Sequence, residues 1–305
     1  MLEGKNVLVT GGAGFIGSNI VDMLVEKNNV SVIDNMHTGS EENIKKHIDS
    51  GKVKLFKLDV MDIEKTDLKP DVIIHLGMPS SSPMYKDNNY LVSSAIEGAI
   101  SLYKFAVKNN SKIVFASSSS IYNGNKPPYN ESMPLKVTDF YTEARIAIER
   151  LGELYNNLYG ITVIGLRLFS IYGPNEESKK QYANLISQFI WAIKKGEKPL
   201  IYGDGEQTRD FTYVEDVANA FIKATELKGF DVFNVGTGKS YSLNQLMDVL
   251  SNHIGKKITA DYIKQPIKNY VMQTNSDTSK AEKVMGFKAQ YSLDDGVSRL
   301  VKKYF

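Results

Sequence analysis

One stretch constrains this chain more than any other: Val7-Leu8-Val9-Thr10-Gly11-Gly12-Ala13-Gly14-Phe15-Ile16-Gly17, followed by an apolar-periodic segment at 20–25. A β-branched apolar run that gives way to glycines and then to helical periodicity reads as strand, tight turn and helix. Gly11, Gly14 and Gly17 stand at the spacing of a dinucleotide-binding turn. In such a turn the first glycine takes the sharp bend, the second lets the backbone approach a pyrophosphate, and the third brings helix against strand. The helix N-terminus offers its unpaired N–H groups to the anion. Glycine spacing alone also occurs in unrelated α/β turns, and a second feature narrows the reading. The strand Val30-Ser31-Val32-Ile33 ends in Asp34, and an acid at that place suits a ribose diol while its charge disfavours a 2′-phosphate. The expected cofactor is NAD.

The remaining chain supplies the sheet that such a turn needs. Strands are expected at 54–58, 72–76, 112–116 and 162–168, alternating with a polar helix at 41–49 and long helices at 91–107 and 139–159. This alternation predicts an α/β fold, a doubly wound parallel Rossmann-type sheet with its ligands outside the carboxyl edge. From 181 onward the pattern loosens. Helices are expected at 183–194, 243–254, 278–285 and 293–303, with short strands at 199–202, 232–235 and 257–262. We therefore expect an NAD-binding domain over 1–180, with return segments from about 210–240. A smaller, interleaved α/β substrate-binding domain is expected over 181–305, with no linker between them.

Composition excludes other classes. A chain of 305 residues with 42% hydrophobic content can bury one large core or two coupled ones. A net charge of +2 implies neither nucleic acid nor a membrane surface as partner. No apolar run approaches the about 20 residues of a membrane span, and no leader is visible ahead of the first strand, so a cytoplasmic location is expected. The absence of cysteine excludes disulfides and thiolate chemistry. His37, His47, His75 and His253 show no metal-ligand spacing, and no metal is expected.

Tyr141 and Arg145 lie four residues apart on the expected long helix, hence on one face. Ser118 ends the preceding strand. A cation beside a phenol favours the phenolate, and a serine hydroxyl can share a substrate proton. This assigns Tyr141 as general base with Ser118 orienting the substrate. Taken alone, Tyr141 reads first as a packed helix residue; the cofactor turn favours the catalytic reading.

The segment Thr10 to Gly17, Asp34-Asn35, Asp59-Val60, His75-Leu76, Ser117 to Tyr122, Tyr141 and Arg167 to Pro174 occur in this order. Together they resemble the extended short-chain dehydrogenase/reductase family. The segment Tyr202-Gly-Asp-Gly-Glu-Gln-Thr-Arg-Asp-Phe-Thr-Tyr-Val214 is similar to a motif of its nucleotide-sugar epimerases, most of all those acting on UDP-glucose. The resemblance covers nearly the whole chain. It implies a tightly held NAD, oxidation of C4 of a UDP-sugar, and return of the hydride to the other face of the 4-keto sugar. It also implies that Gly11, Gly14, Phe15, Ile16 and Gly17 line the pyrophosphate, and that Asp34 and Asn35 hold the adenosine ribose. Asp59 and Val60 would flank the adenine, and Leu76, Tyr141 and Arg145 would complete the cofactor site. Ser118, Ser119, Asn184, Leu185, Tyr202 and Arg209 would hold the UDP-sugar, with Arg209 gripping the diphosphate. A surface ion pair of Arg209 with Asp210 or Asp216 is the competing reading. Paired long helices in the family imply a homodimer, here through 91–107 and 139–159.

The departures set the alternatives. The family's Tyr-x-x-x-Lys is here Tyr141-Thr-Glu-Ala-Arg145, which keeps the charge on a larger, planar group. Ala95 stands where the family often has Asn, and Ser170 where many relatives have Asn. The family's Arg-Pro-Gly-Asp is here Gln265-Pro-Ile-Lys268, so a phosphate arginine is missing, with Lys264 or Lys268 as substitutes or merely solvated lysines. Ser119, Ser120 and Ile121 stand where dehydratases and decarboxylases of the superfamily carry an acid. A 4-epimerase of UDP-hexoses is expected. The alternatives are another NAD-dependent nucleotide-sugar oxidoreductase, a uronate or N-acetylhexosamine epimerase, and a catalytically weakened NAD- and nucleotide-sugar-binding protein.

Overall fold

The computed structural model describes residues 2–265 and 270–305. β1 (Asn6–Thr10) and α1 (Phe15–Leu24) flank the glycine turn, followed by β2 (Asn29–Ile33), α2 (Lys45–Asp49) and β3 (Val53–Phe56). The chain then crosses to the other side of β1 through β4 (Val72–His75), α3 (Ser82–Asp87), α4 (Leu91–Asn109) and β5 (Lys112–Ser118). α5 (Phe140–Tyr159), β6 (Val163–Leu168) and β7 (Ile171–Tyr172) come next. The last third holds α6 (Leu185–Lys194), β8 (Leu200–Tyr202), β9 (Thr208–Arg209), β10 (Thr212–Tyr213) and α7 (Val214–Ala224). It closes with β11 (Phe230–Val235), β12 (Tyr241–Ser242), α8 (Leu243–Ile254), β13 (Asp261–Ile263), α9 (Ser279–Met285) and α10 (Leu293–Tyr304).

Seven strands form one sheet in the order β11-β6-β5-β4-β1-β2-β3, with every neighbouring pair parallel. This is the expected Rossmann-type α/β fold. Val7, Leu8 and Val9 of β1, and all of β4 and β6, are buried, as strands covered on both faces must be. α1 and α7 cover one face with Ile20, Leu24, Val217 and Phe221. α4 and α5 cover the other with Leu102, Tyr103, Phe105 and Ile148. Because β1 is followed by β2 on one side and β4 lies on the other, a crevice opens beyond the carboxyl ends of β1 and β4.

A third core gathers α6, α8 and α10 around Ile186, Phe189, Leu246, Leu250 and Leu300. The strand expected at 257–262 is shifted to Asp261–Ile263, because β8 offers only Leu200–Tyr202 as a partner. Gly255, at φ +76, ends α8 just before it. β11 returns to the main sheet and pairs with β6 along its full length.

Candidate active site

The cofactor turn is built by exclusion of Cβ atoms. Gly11 takes φ +69, and a Cβ there would lie 2.7 Å from the Gly77 nitrogen. A Cβ on Gly17 would lie 2.1 Å from the Gly11 carbonyl oxygen, so α1 can pack against the turn only with glycine at this position. α1 begins at Gly14 with no side-chain cap and no acidic residue in its first turn. Its end donors are therefore open to an external anion.

Asp34 is buried at the end of β2, where its Oδ2 accepts the Ala13 N–H at 3.0 Å and its Oδ1 accepts the Met36 N–H at 2.8 Å. Burial pushes its carboxyl above the usual range, against the pull of those backbone bonds. Asn35 donates to Asp59 Oδ2 at 2.9 Å, and Asp59 Oδ1 accepts the Met61 N–H at 3.0 Å, capping the short helical turn that begins at Val60.

The catalytic candidates come from two elements. Asp139 and Thr142 close a capping box that starts α5, with the Thr142 N–H donating to Asp139 Oδ1 at 2.8 Å, which places Tyr141 in the first turn. Ser118 ends β5; its Oγ accepts the Ser120 N–H at 3.2 Å, which leaves its own proton to donate. Arg145, buried one turn below Tyr141, donates to the Ala116 carbonyl at 3.1 Å and the Pro79 carbonyl at 2.8 Å, and also touches Met78 Sδ. Its guanidinium carbon lies 4.9 Å from the centre of the Tyr141 ring. The cation thus faces the aromatic face of Tyr141 and ties the loop after β4 to the end of β5.

Below this pair lies a buried network. Arg167 of β6 grips Glu149 of α5 with two bonds, Nε to Oε1 at 2.9 Å and Nη2 to Oε2 at 2.7 Å. Ser117 donates to the same carboxylate at 2.6 Å. Arg167 also donates to the Tyr122 hydroxyl at 2.7 Å, which donates in turn to Asn234 Oδ1 of β11 at 2.8 Å. Burial pushes the Tyr122 hydroxyl up to about 12. At the end of β4, His75 Nδ1 and Thr10 Oγ1 are 2.7 Å apart, and Thr10 Oγ1 accepts the Gly77 N–H at 3.2 Å. Burial holds the imidazole down to about 3, hence neutral.

A cavity of about 510 Å³ joins these parts. Gly11, Gly14, Phe15, Ile16, Gly17, Asp34, Asn35, Asp59, Val60 and Leu76 line one arm, and Ser118, Ser119, Tyr141, Arg145 and Asn184 line the other. Ala95 and Gly98 form part of the wall. Leu185, Tyr202 and Arg209 are not brought to this cavity. Leu185 packs against the C-terminal core, and the Tyr202 carbonyl takes Gln207 Nε2 at 2.6 Å. Arg209 donates to the Thr208 carbonyl at 2.8 Å, with its guanidinium 5.2 Å from the Tyr270 ring centre. Neither acid expected to compete for Arg209 takes it. Asp210 accepts from Thr237 and Ser276, and Asp216 from the N–H groups of Gln290 and Tyr291. Lys264 is exposed away from the cavity, and Lys268 lies outside the described residues.

A family model described as the NAD dependent epimerase/dehydratase family matches residues 7–236. The chain belongs to the NAD-dependent epimerase/dehydratase family. Among the relatives of this chain is a putative UDP-glucose 4-epimerase of Methanocaldococcus jannaschii, 38% identical over 97% of each chain. A UDP-glucuronate 4-epimerase of Thermodesulfobacterium geofontis is 32% identical over 96% of this chain and 94% of its own. A solved UDP-N-acetylglucosamine 4-epimerase of Methanobrevibacter ruminantium M1, in complex with UDP-N-acetylmuramic acid, superposes with a TM-score of 0.91. It is 32% identical, with 99% of this chain and 100% of that one covered. NAD is the cofactor of the family, and the residues of this chain fit it: the Cβ-free cradle at Gly11 and Gly17, the uncapped α1 and the buried Asp34 carboxylate at the end of β2. Sequence reasoning missed two cavity features, the tether of Arg145 to the Pro79 carbonyl and the presence of Lys179. Lys179 sits in a run of charged residues that gives no signal of an inward position.

Proposed function

We propose that this family member is a UDP-sugar 4-epimerase acting on a UDP-hexose through a transient 4-keto sugar. The observation that carries the reading is one cavity joining the dinucleotide turn to Tyr141 and Ser118, with serine or apolar side chains at 119, 120 and 121. Among the described lining residues the carboxylates are Asp34 and Asp59, at the other end. Water elimination and decarboxylation need an acid beside the sugar ring, whereas epimerisation at C4 does not.

In this reading Gly11, Gly14, Phe15, Ile16 and Gly17 hold the cofactor pyrophosphate, Asp34 and Asn35 the adenosine ribose, and Asp59, Val60 and Leu76 the adenine and the inner wall. Bound there, NAD supplies a reversible hydride acceptor for C4. The Tyr141 oxygen takes the C4 hydroxyl proton as the ketone forms and gives it back as the ketone is reduced. The Ser118 hydroxyl donates to the C4 oxygen and fixes its direction. Arg145 braces the Tyr141 ring and the loop after β4 so that this oxygen stays aimed at the sugar. Asn184 keeps its side-chain amide donors for the substrate, because its Oδ1 accepts the Ile186 N–H at 3.0 Å. Ser119 completes the sugar wall, and where the nucleotide extends beyond this cavity toward the C-terminal part we assign Leu185, Tyr202 and Arg209 to it, with Arg209 on the diphosphate.

The test is proton NMR of the protein with UDP-glucose, UDP-N-acetylglucosamine and UDP-glucuronate, run separately in D₂O. A C4 epimer without deuterium in the sugar supports the reading, and the fastest sugar names the substrate. Deuterium at C3 or C5, or no turnover of any of the three with NAD supplied, overturns it. We also propose a homodimer through α4 and α5; on α5, Phe140, Leu154, Leu158 and Tyr159 are exposed. A monomeric mass by light scattering at micromolar concentration overturns that assembly.

A further inference from the structure

The α1 end offers only backbone N–H groups to the cofactor pyrophosphate, whose negative charge also calls for a cation. The cavity itself supplies a candidate. Among its described lining residues the charged side chains are Asp34 and Asp59 at the adenosine arm, with His37 nearby, and Arg145 and Lys179 elsewhere. Arg145 is committed to two backbone carbonyls and a ring face. The Lys179 ammonium lies 5.3 Å from the centre of the Phe15 ring, and Phe15 is the first residue of α1, at the uncapped helix end.

The segment carrying Lys179 is fastened across that end of the cavity. Asn19 of α1 donates to the Pro174 carbonyl at 3.1 Å, and Asn175 donates to Ser18 Oγ at 3.1 Å. Ser178 donates to the Thr38 carbonyl at 2.6 Å, on the loop that follows Asp34. The strap thus joins the pyrophosphate end to the ribose loop. Its inner anchor is Glu176, fully buried, which accepts Lys179 Nζ at 2.9 Å, the Asn184 N–H at 2.8 Å and Ser187 Oγ at 2.6 Å. One carboxylate therefore sets both the cation over α1 and the start of the helix that carries Asn184.

We propose that Lys179 is a cofactor-binding residue: its ammonium, aimed by Glu176, contacts the NAD pyrophosphate from the side opposite the glycine turn. A three-donor ammonium can keep its bond to Glu176 and still donate to a phosphate oxygen. In Lys179→Met, Glu176 keeps the Asn184 N–H and Ser187 Oγ but loses its cation, so the charge-compensated Glu176→Gln/Lys179→Met is titrated beside it and should show the same loss.

The test is calorimetric titration of the full chain with NADH, ADP-ribose, adenosine and UDP, for the native protein, Lys179→Met and Lys179→Arg. Lys179→Met is expected to weaken NADH and ADP-ribose on the order of tenfold, with a flatter dependence on salt. Adenosine, which lacks the pyrophosphate, should change by less than about twofold, and Lys179→Arg should restore most of the loss. Unchanged affinity for ADP-ribose overturns the proposal. So does an equal loss for adenosine, or a loss confined to UDP. The titration involves no turnover, so it stands or falls apart from the choice of sugar and of reaction.

Discussion

The two arms of the cavity are built in different ways. The adenosine arm is local: glycines three residues apart make the turn, and Asp34 is held by the N–H groups of Ala13 and Met36. The catalytic arm is assembled from distant parts. Arg145 reaches carbonyls 29 and 66 residues away, and Glu149, Arg167 and Asn234 tie α5 to β6 and β11 beneath Ser118. The first arm binds through backbone shape. The second acts through side chains whose aim depends on a packed core, so damage to the two should separate experimentally.

The largest effect is expected from Tyr141→Phe, which should lower kcat on the order of 10³-fold and leave NADH affinity unchanged. Measured turnover and NADH titration check it, and a parallel loss of NADH binding would show that the arms are not independent. Next comes Arg167→Met, which strands the buried Glu149 charge and should cost about 3–5 kcal/mol of stability in guanidinium unfolding. The double variant Glu149→Met/Arg167→Met should lose less than the single one. Arg145→Lys should lower kcat by about tenfold, because one ammonium cannot span the Ala116 and Pro79 carbonyls as the guanidinium fork does. A rate gain instead would mark Arg145 as a handicap.

The smallest effect belongs to the adenosine arm and appears only in acid. A buried, raised Asp34 takes up its proton at a higher pH than an ordinary carboxylate. NADH affinity should therefore be full at neutral pH and fall as pH drops through that raised value, whereas Asp34→Asn should show weaker but pH-flat binding. A native profile that begins to fall only within the ordinary carboxylate range would contradict it.

The same contrast explains what could be read from the chain. Gly11, Gly17 and Asp34 were legible because strand, turn and helix are contiguous and each glycine answers a clash within a few residues or at a neighbouring strand end. The long helix with Tyr141 was legible as a segment, expected at 139–159 and found at Phe140–Tyr159, whereas its Asp139 capping box was not read. The partners of Arg145 were not, since nothing in the residues around it names the Pro79 carbonyl. Lys179 was hidden for a similar reason: a lysine among glutamates looks solvated until the hydrogen bonds of Pro174, Asn175 and Ser178 turn its segment inward. Leu185, Tyr202 and Arg209 were placed at the substrate by likeness; that none of them lines the cavity follows from how the C-terminal core sits, which short strands of two or three residues do not encode locally.

The late return of β11 bears on how this chain is made. On a ribosome, β1 through β6 emerge in order and each can pair with a strand already present, but the partner of β6's outer edge is not synthesised until residues 230–235. Until then β6, whose six residues are all buried in the finished molecule, presents open backbone donors and acceptors on an apolar edge. A fragment cut at residue 180 would keep that edge permanently, and should precipitate or self-associate through it even though its cofactor turn is complete. Emergence of β11, rather than completion of the glycine turn, is the step that closes this edge.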